Sequence, residues 1–309
     1  FDNLDEVLSE KARETITTGI PELDAVLEGG IGKGELGMII APSGTGKTSF
    51  TTNLAAAAAT IGNSKVLQIV FEDRVTQIQR KHIGRITNVE SKDLSKSLEV
   101  INQVKGILSS YEYKEQIENN LRIVRFPTGE VSAQYLENYI GKLINSGFKP
   151  DLTIIDYFEC LKHIPDPSVT NSWELEGKTM RKLEALASKL NMAIWVPTQG
   201  GKDSIGSELV TMSQAGGSVK KSQISHIVIS IAKTQSDMAN NKATVSVLKN
   251  RSGGSGKIWQ GIDFNNGTCR MDFSCATEAD NAITFEALKD KENKQIAKDL
   301  LHNFKMQGK

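Results

Sequence analysis

Between residues 36 and 199, short, mainly apolar runs alternate with longer amphipathic stretches. Leu36–Ile40 has the length and bounding of a buried strand, and Lys65–Glu72, Leu121–Phe126, Leu152–Tyr157 and Ala193–Thr198 also read as strands. Helical periodicity fills the gaps at Lys47–Ile61, Arg74–Ile86, two polar stretches within 92–119, Ser132–Ser146 and Trp173–Leu190. Alternation of this kind needs crossover connections and predicts an α/β fold with a mainly parallel central sheet flanked by helices. After residue 218 the texture changes. Ser225–Ala232, Thr244–Lys249, Ile258–Asp263 and Thr268–Asp272 are short strands divided by turns such as Asn266-Gly267, which predicts an antiparallel C-terminal extension of the sheet.

The same patterning suggests three segments. Residues 1–16 are expected to be a linker with a short amphipathic helix over 5–14, residues 17–275 the main domain, and residues 276–309 a charged helical tail whose alternating charges from Lys289 to Lys298 read as a solvated helix. The chain starts without a methionine, which leaves open whether an N-terminal domain was removed. No apolar run approaches the 18 or so residues of a membrane span and the acidic first residues do not form a leader; the expected location is the cytoplasm, including that of a phage-infected host.

Composition changes this picture little. With 39% hydrophobic and 24% charged residues the chain is of ordinary globular type, and 37 basic against 37 acidic side chains provide no overall basic excess for nucleic acid. A strand-gripping surface would have to concentrate its cations in a few loops. Cys160, Cys269 and Cys275 have neither zinc-ligand spacing nor an even count, which argues for a reducing compartment.

The chemistry begins at Ala41-Pro-Ser-Gly-Thr-Gly-Lys-Thr48, a phosphate-binding loop lying between a predicted strand and a predicted helix. Its backbone N–H groups and the helix N-terminus suit a nucleotide's phosphates, so Ser43, Gly44, Thr45, Gly46, Lys47, Thr48 and Ser49 are candidate ATP-binding residues, with Lys47 reaching the β/γ-phosphates. Thr48 and Asp156, the carboxylate ending the run Leu152-Thr-Ile-Ile-Asp156, are candidate Mg2+ ligands. Glu72 ends another strand and is the candidate group that orients and deprotonates the attacking water, ahead of Asp73 and Glu159, which lie past strand ends. Gln199 ends a fourth strand before a polar, glycine-rich stretch, where an amide can sense the γ-phosphate.

The order Thr18-Gly-Ile-Pro-Glu-Leu-Asp24, the Gly29–Gly34 turn, the phosphate loop, Glu72, Asp156 and Gln199 resembles that of RecA-like P-loop NTPases. Over roughly residues 15–273 the chain is most similar to the ATPase domain of DnaB-type hexameric replicative DNA helicases, those of T-even phages in particular. Ile155-Asp156-Tyr157, Ala215-Gly-Gly-Ser218 and Lys249-Asn-Arg251 carry that likeness. The resemblance implies a RecA-like fold, a homo-oligomeric ring acting on single-stranded DNA, Arg251 as an arginine finger for the neighbouring subunit with Lys249 beside it, and pore loops at 161–174 and 200–221 whose Lys162, Lys202, Lys220 and Lys221 touch DNA. A primase or a helicase loader is the further partner it implies. Ala41 in place of the loop's first glycine, Tyr157-Phe-Glu159 after the strand, and a Ser43–Thr48 loop close to those of clock ATPases and archaeal recombinases are departures. They keep open a clock-like or recombinase-like ATPase that binds partners or DNA without unwinding, and a loader or scaffold in which nucleotide only controls assembly.

Overall fold

Six strands lie side by side in parallel, and an antiparallel set extends the sheet beyond them. The computed structural model describes residues 13–109, 111–169, 171–214 and 219–280. Its strands are β1 (Thr15–Ile16), β2 (Ile31–Gly32), β3 (Leu36–Ala41), β4 (Val66–Val70), β5 (Leu121–Arg125), β6 (Leu152–Asp156), β7 (Ala193–Gln199), β8 (Ile227–Ala232), β9 (Lys242–Asn250), β10 (Lys257–Asn265), β11 (Arg270–Asp272) and β12 (Thr277–Asp280). The helices are α1 (Pro21–Val26), α2 (Lys47–Thr60), α3 (Val75–Thr87), α4 (Leu98–Leu108), α5 (Tyr111–Asn120), α6 (Ala133–Asn145), α7 (Ser172–Leu190), α8 (Val219–Ile224) and α9 (Gln235–Ala239).

The large sheet runs β11-β10-β9-β8-β3-β7-β6-β4-β5, with β12 also on β10, while β1 and β2 form a separate antiparallel pair. Pairing is parallel from β8 through β3, β7, β6 and β4 to β5, and antiparallel from β8 outward. One sequence expectation is thereby corrected: β8 belongs to the parallel part, and the antiparallel extension starts at β9. The long connection 200–226 gives the chain the crossover a parallel strand needs, whereas α9 and its short flanks allow only a reversal into β9. The N-terminal linker ends as the strand β1. The predicted tail begins as β12 on β10, and the rest of the expected helices at 5–14 and 276–309 lie outside the described residues, as does Ala215–Ser218.

Two cores result, one on each face of the sheet. Along β3, Leu36, Met38 and Ile40 join Leu67, Ile69, Met180 and Leu183 on one side, while Ile39 and Ala41 join Phe50, Leu54, Trp195 and Val245 on the other. Helix α2 is buried from Ser49 to Ala59, and its alanines let it lie close to the sheet. Gly37 pairs with Trp195 in the β3–β7 register and its missing side chain makes room for the fully buried indole, since a Cβ there would stand 2.3 Å from the ring. We expect Gly37→Ala to lower stability by roughly 1–3 kcal/mol through overpacking, whereas Gly141→Ala, in α6 with open space around it, should raise it by up to about 1 kcal/mol; denaturant melts of the two variants check the contrast.

Candidate functional site

Parallel strands bring the C-terminal ends of β3, β4, β6 and β7 to one edge of the sheet, and every nucleotide-site candidate from the central region sits there. The loop after β3 turns through Gly44 and Gly46 in the left-handed region, φ 79° and 106°, conformations that glycine adopts without strain. Gly46 precedes α2 with no side-chain cap, so the first N–H groups of the helix face the hollow. At Gly46 a Cβ would stand 2.3 Å from Asn266 Oδ1, so the turn after β10 lies close over the loop at this glycine. Lys47 extends over the loop with Nζ donating to the carbonyls of Ala41 (3.1 Å) and Pro42 (3.2 Å). Burial pulls its pKa down, and the fields of Glu159, Asp156 and Glu72 oppose that shift.

Asp156 ends β6 opposite Val70 of β4 and is buried. Thr51 Oγ1 donates to its Oδ2 at 3.1 Å and the Thr48 hydroxyl also hydrogen-bonds to it. Burial raises its pKa, against the two threonines and the charge of Lys81. Glu72 stands two residues beyond the end of β4 and accepts a hydrogen bond from Tyr157 Oη at 3.1 Å. Burial, with Cys160 and Glu72 nearby, raises the pKa of that phenol, which therefore stays a donor. The rivals of Glu72 are engaged elsewhere. Asp73 is ion-paired with Lys81 (3.6 Å), and Glu159 accepts from Thr198 Oγ1, from Lys221 Nζ (3.1 Å) and from the Gln199 N–H (3.4 Å).

A hollow of ≈ 350 Å³ is lined by Ser43, Gly44, Gly46, Lys47, Thr48, Ser49, Glu72 and Gln199, a size that suits a small ligand. Thr45 is fully buried instead and bonds to the Pro42 carbonyl (2.8 Å), so its side chain shapes the loop. Lys81, Tyr157 and Asn266 also line the hollow, and sequence reading assigned them no role. Lys81 arrives because α3 follows directly on Glu72, and Asn266 because the hairpin turn folds onto the loop, where Ser49 Oγ donates to its carbonyl at 3.2 Å. The spacing of Thr48 and Thr51 on one helix face was a usable signal for Thr51; Asn266 carried none beyond its turn dipeptide.

Lys249 and Arg251 lie elsewhere. Strand β9 runs antiparallel to β8, with Asn250 opposite Ile227, and Ile227 is in turn opposite Gly37 near the start of β3. The pair is therefore at the sheet edge opposite the protein's own phosphate loop. Lys249 Nζ donates to the Ser222 (3.0 Å) and Gln223 (2.7 Å) carbonyls, and Arg251 Nη2 to those of Gln223 (2.9 Å) and Ile224 (3.2 Å). Arg181, Glu184 and Lys220 border the same surface hollow.

A profile described as the DnaB-like helicase C-terminal domain matches residues 15–271. The chain belongs to the DnaB-like helicases. As such it is an ATP-hydrolysing DNA helicase of the replicative kind. No curated protein sequence gives a significant match. Two solved structures share the fold at 16% identity: an ATPase domain, with TM-score 0.71 over 86% of this chain and 94% of that one, and a DnaB-like replicative helicase studied with its interactions with primase, with TM-score 0.70 over 87% of this chain. The present chain spans 64% of the latter.

Of the four helicase lysines expected to touch DNA, Lys162 and Lys202 are exposed and Lys220 packs over the Trp173 ring at 4.1 Å. Lys221 is a correction. It is fully buried, with Nζ 3.1 Å from both Glu159 Oε1 and Glu176 Oε2, because two carboxylates drawn toward the interior need a cation beside them. Among the described residues the three cysteines are free, no cluster of three or more His, Cys, Asp or Glu could hold a metal, and no helix is long and apolar enough to cross a membrane.

Helix α3, which carries Lys81 into the hollow, is fastened by the next residue. His82 is buried with Nε2 2.7 Å from Gln68 Oε1 of β4, and burial, with Arg85 adding to it, pushes its pKa down to about 4. The folded form thus binds fewer protons than the unfolded one between the ordinary histidine value of 6.5 and about 4. Stability tied to this group is complete above pH 6.5 and is lost as pH falls through that window, at up to about 1.4 kcal/mol per pH unit. Melting curves from pH 7 to 5 should show this loss, and His82→Gln should flatten it.

Proposed function

We propose that the domain works as one subunit of a homo-oligomeric ring, a hexamer, in which each nucleotide is bound by one subunit and acted on by two. The observation that carries this reading is the position of Arg251 and Lys249 at the sheet edge opposite their own phosphate loop. That edge is remote from the subunit's own hollow, which suits the two cations to a nucleotide held by a neighbour, and a finger that stabilises transferring phosphoryl charge makes hydrolysis depend on assembly.

Within the hollow, the loop N–H groups and Lys47 hold the triphosphate of ATP or another NTP. Thr48 and Asp156 fit Mg2+: they present hard oxygen donors, and a buried carboxylate whose partners are hydroxyl groups suits a cation that takes its remaining ligands from phosphate and water. The ion would neutralise charge on the phosphates. Glu72, with its Tyr157 hydrogen bond fixing one oxygen, orients and deprotonates water. Gln199, at the end of β7, reads the γ-phosphate and passes its state to the segment that follows. Lys162 and Lys202 lie in the two loops we place against single-stranded DNA in the central channel, with backbone amides supplying further contacts. A primase or a helicase loader is the further partner in this reading, and the site of action is the cytoplasm. The segmentation is that of a linker, a RecA-like motor over 17–275 and a tail.

The test is ATP hydrolysis with and without single-stranded DNA, together with unwinding of a forked duplex by the same preparation. We expect DNA-stimulated hydrolysis with unwinding; hydrolysis indifferent to DNA and no unwinding would overturn the motor reading. Glu72→Gln should lower kcat by about 10²–10⁴, and Arg251→Ala by about 10³ or more, with nucleotide affinity nearly unchanged in both. Loss of nucleotide binding in Arg251→Ala would show a structural role instead.

A further inference from the structure

Lys221 belongs neither to the nucleotide hollow nor to a DNA-facing surface, yet its ammonium is placed where several functional segments meet. Its side chain is 1% exposed. Nζ lies 3.0 Å from Thr198 Oγ1, 3.1 Å from Glu159 Oε1, 3.1 Å from Glu176 Oε2 and 4.9 Å from the centre of the Phe158 ring. Thr198 is the residue before Gln199 on β7, and its hydroxyl donates to Glu159 Oε1. Glu159 follows Asp156 by three residues in the turn after β6, and its second oxygen accepts the Gln199 N–H at 3.4 Å. Glu176 belongs to α7. One buried cation therefore ties the strand end that carries Gln199 to the turn after Asp156.

Lys221 is itself part of α8, and the three carbonyls after it are the ones that hold the other functional pair. Ser222 and Gln223 accept from Lys249, and Gln223 and Ile224 from Arg251. Four consecutive residues, 221 to 224, thus face the nucleotide sensor at one end and clamp the finger residues at the other. A buried ammonium cannot part from its carboxylates without a large desolvation cost. When the Gln199–Glu159 contact rearranges, α8 has to follow, and the carbonyls that carry Arg251 and Lys249 move with it. Coupling of this kind requires a contiguous element with two arrangements, and α8 joins the two groups with no intervening flexible segment.

We propose that Lys221 is a positioning residue that couples the nucleotide state read by Gln199 in one subunit to the presentation of Arg251 and Lys249 to the next. This rests on the reading of Gln199 as sensor and Arg251 as a finger acting in trans. It assigns to a buried salt-bridge lysine the coordination of successive sites around the ring.

The experiment compares wild-type, Lys221→Met, Lys221→Arg and Arg251→Ala rings for ATP affinity, kcat, KM and the Hill coefficient for ATP, with mixtures of Lys221→Met and wild-type subunits assayed at fixed total protein. Lys221→Met keeps length and removes the charge. We expect it to bind a fluorescent ATP analogue within about threefold of wild type while kcat falls roughly 5- to 150-fold, the range of a typical coupling free energy. Its Hill coefficient should fall toward one, Lys221→Arg should restore part of both, and activity of the mixed rings should fall more steeply than the wild-type fraction. Wild-type kcat and Hill coefficient in Lys221→Met would overturn the proposal, and so would a loss proportional to its fraction in mixed rings, which marks a defect confined to the subunit's own site. Arg251→Ala separates the two readings: if it retains turnover, the trans finger is wrong, and if it is inactive while Lys221→Met is normal, only the coupling is wrong. Should Lys221→Met fail to assemble, Thr198→Val, which removes one hydroxyl from the same network, replaces it in the comparison: a lowered kcat and Hill coefficient support the coupling, and wild-type values overturn it.

Discussion

A carboxylate at the end of a strand buried on both faces must be met by donors, and Asp156 is met by the hydroxyls of Thr48 and Thr51 from helix α2. This contact locks the second strand of the site onto the helix that opens from the phosphate loop. Because the loop leaves β3 and Asp156 leaves β6, the threonines fix the distance between the groups that hold phosphate and the group suited to the cation. Glu72, two residues past the end of β4, and Gln199, the last residue of β7, then fall into place, because those strand ends lie along the same edge.

Strand direction divides the functional groups between two edges. Parallel strands collect their C-terminal ends on one side of the sheet, where the phosphate loop, Lys47 and Glu72 line the hollow and Asp156 lies beside it. Reversal from β8 into β9 carries Lys249 and Arg251 back to the other side. The two sets of groups thus stand at opposite edges of one sheet, an arrangement that the proposed trans finger would use by pairing one edge with the other edge of a second copy. The antiparallel extension also returns to the phosphate loop, for the β10–β11 hairpin places Asn266 against Gly46 and closes the hollow from a direction that the parallel part cannot reach.

Buried charge is placed sparingly and with partners. Lys221 stands between Glu159 and Glu176, Lys233 is buried over the Phe264 ring with Nζ on the Phe264 carbonyl, and His82 is neutral against Gln68. Burial pulls the Lys233 pKa down to about 8. Each of these groups joins an element of the site to the rest of the sheet, so the polar interior serves the geometry of the site as well as the cohesion of the core.

The sequence by itself determined the phosphate loop, the apolar strands that end in Asp156 and close to Glu72, and the family to which the chain belongs. These are local: a glycine pattern needs left-handed backbone at fixed positions, and an unbroken apolar run bounded by turns folds as a strand covered on both faces. It also marked Lys249 and Arg251 through resemblance, without showing where they stand. Tertiary structure decided what depends on strand order and direction. It made β8 the last parallel strand, turned the end of the linker and the start of the tail into β1 and β12, brought Lys81 and Asn266 to the hollow, and moved Lys221 from an expected DNA contact into the interior. None of these was legible because burial of a polar side chain depends on which segments pack over it, and a lysine in a polar stretch reads the same whether it faces solvent or two carboxylates.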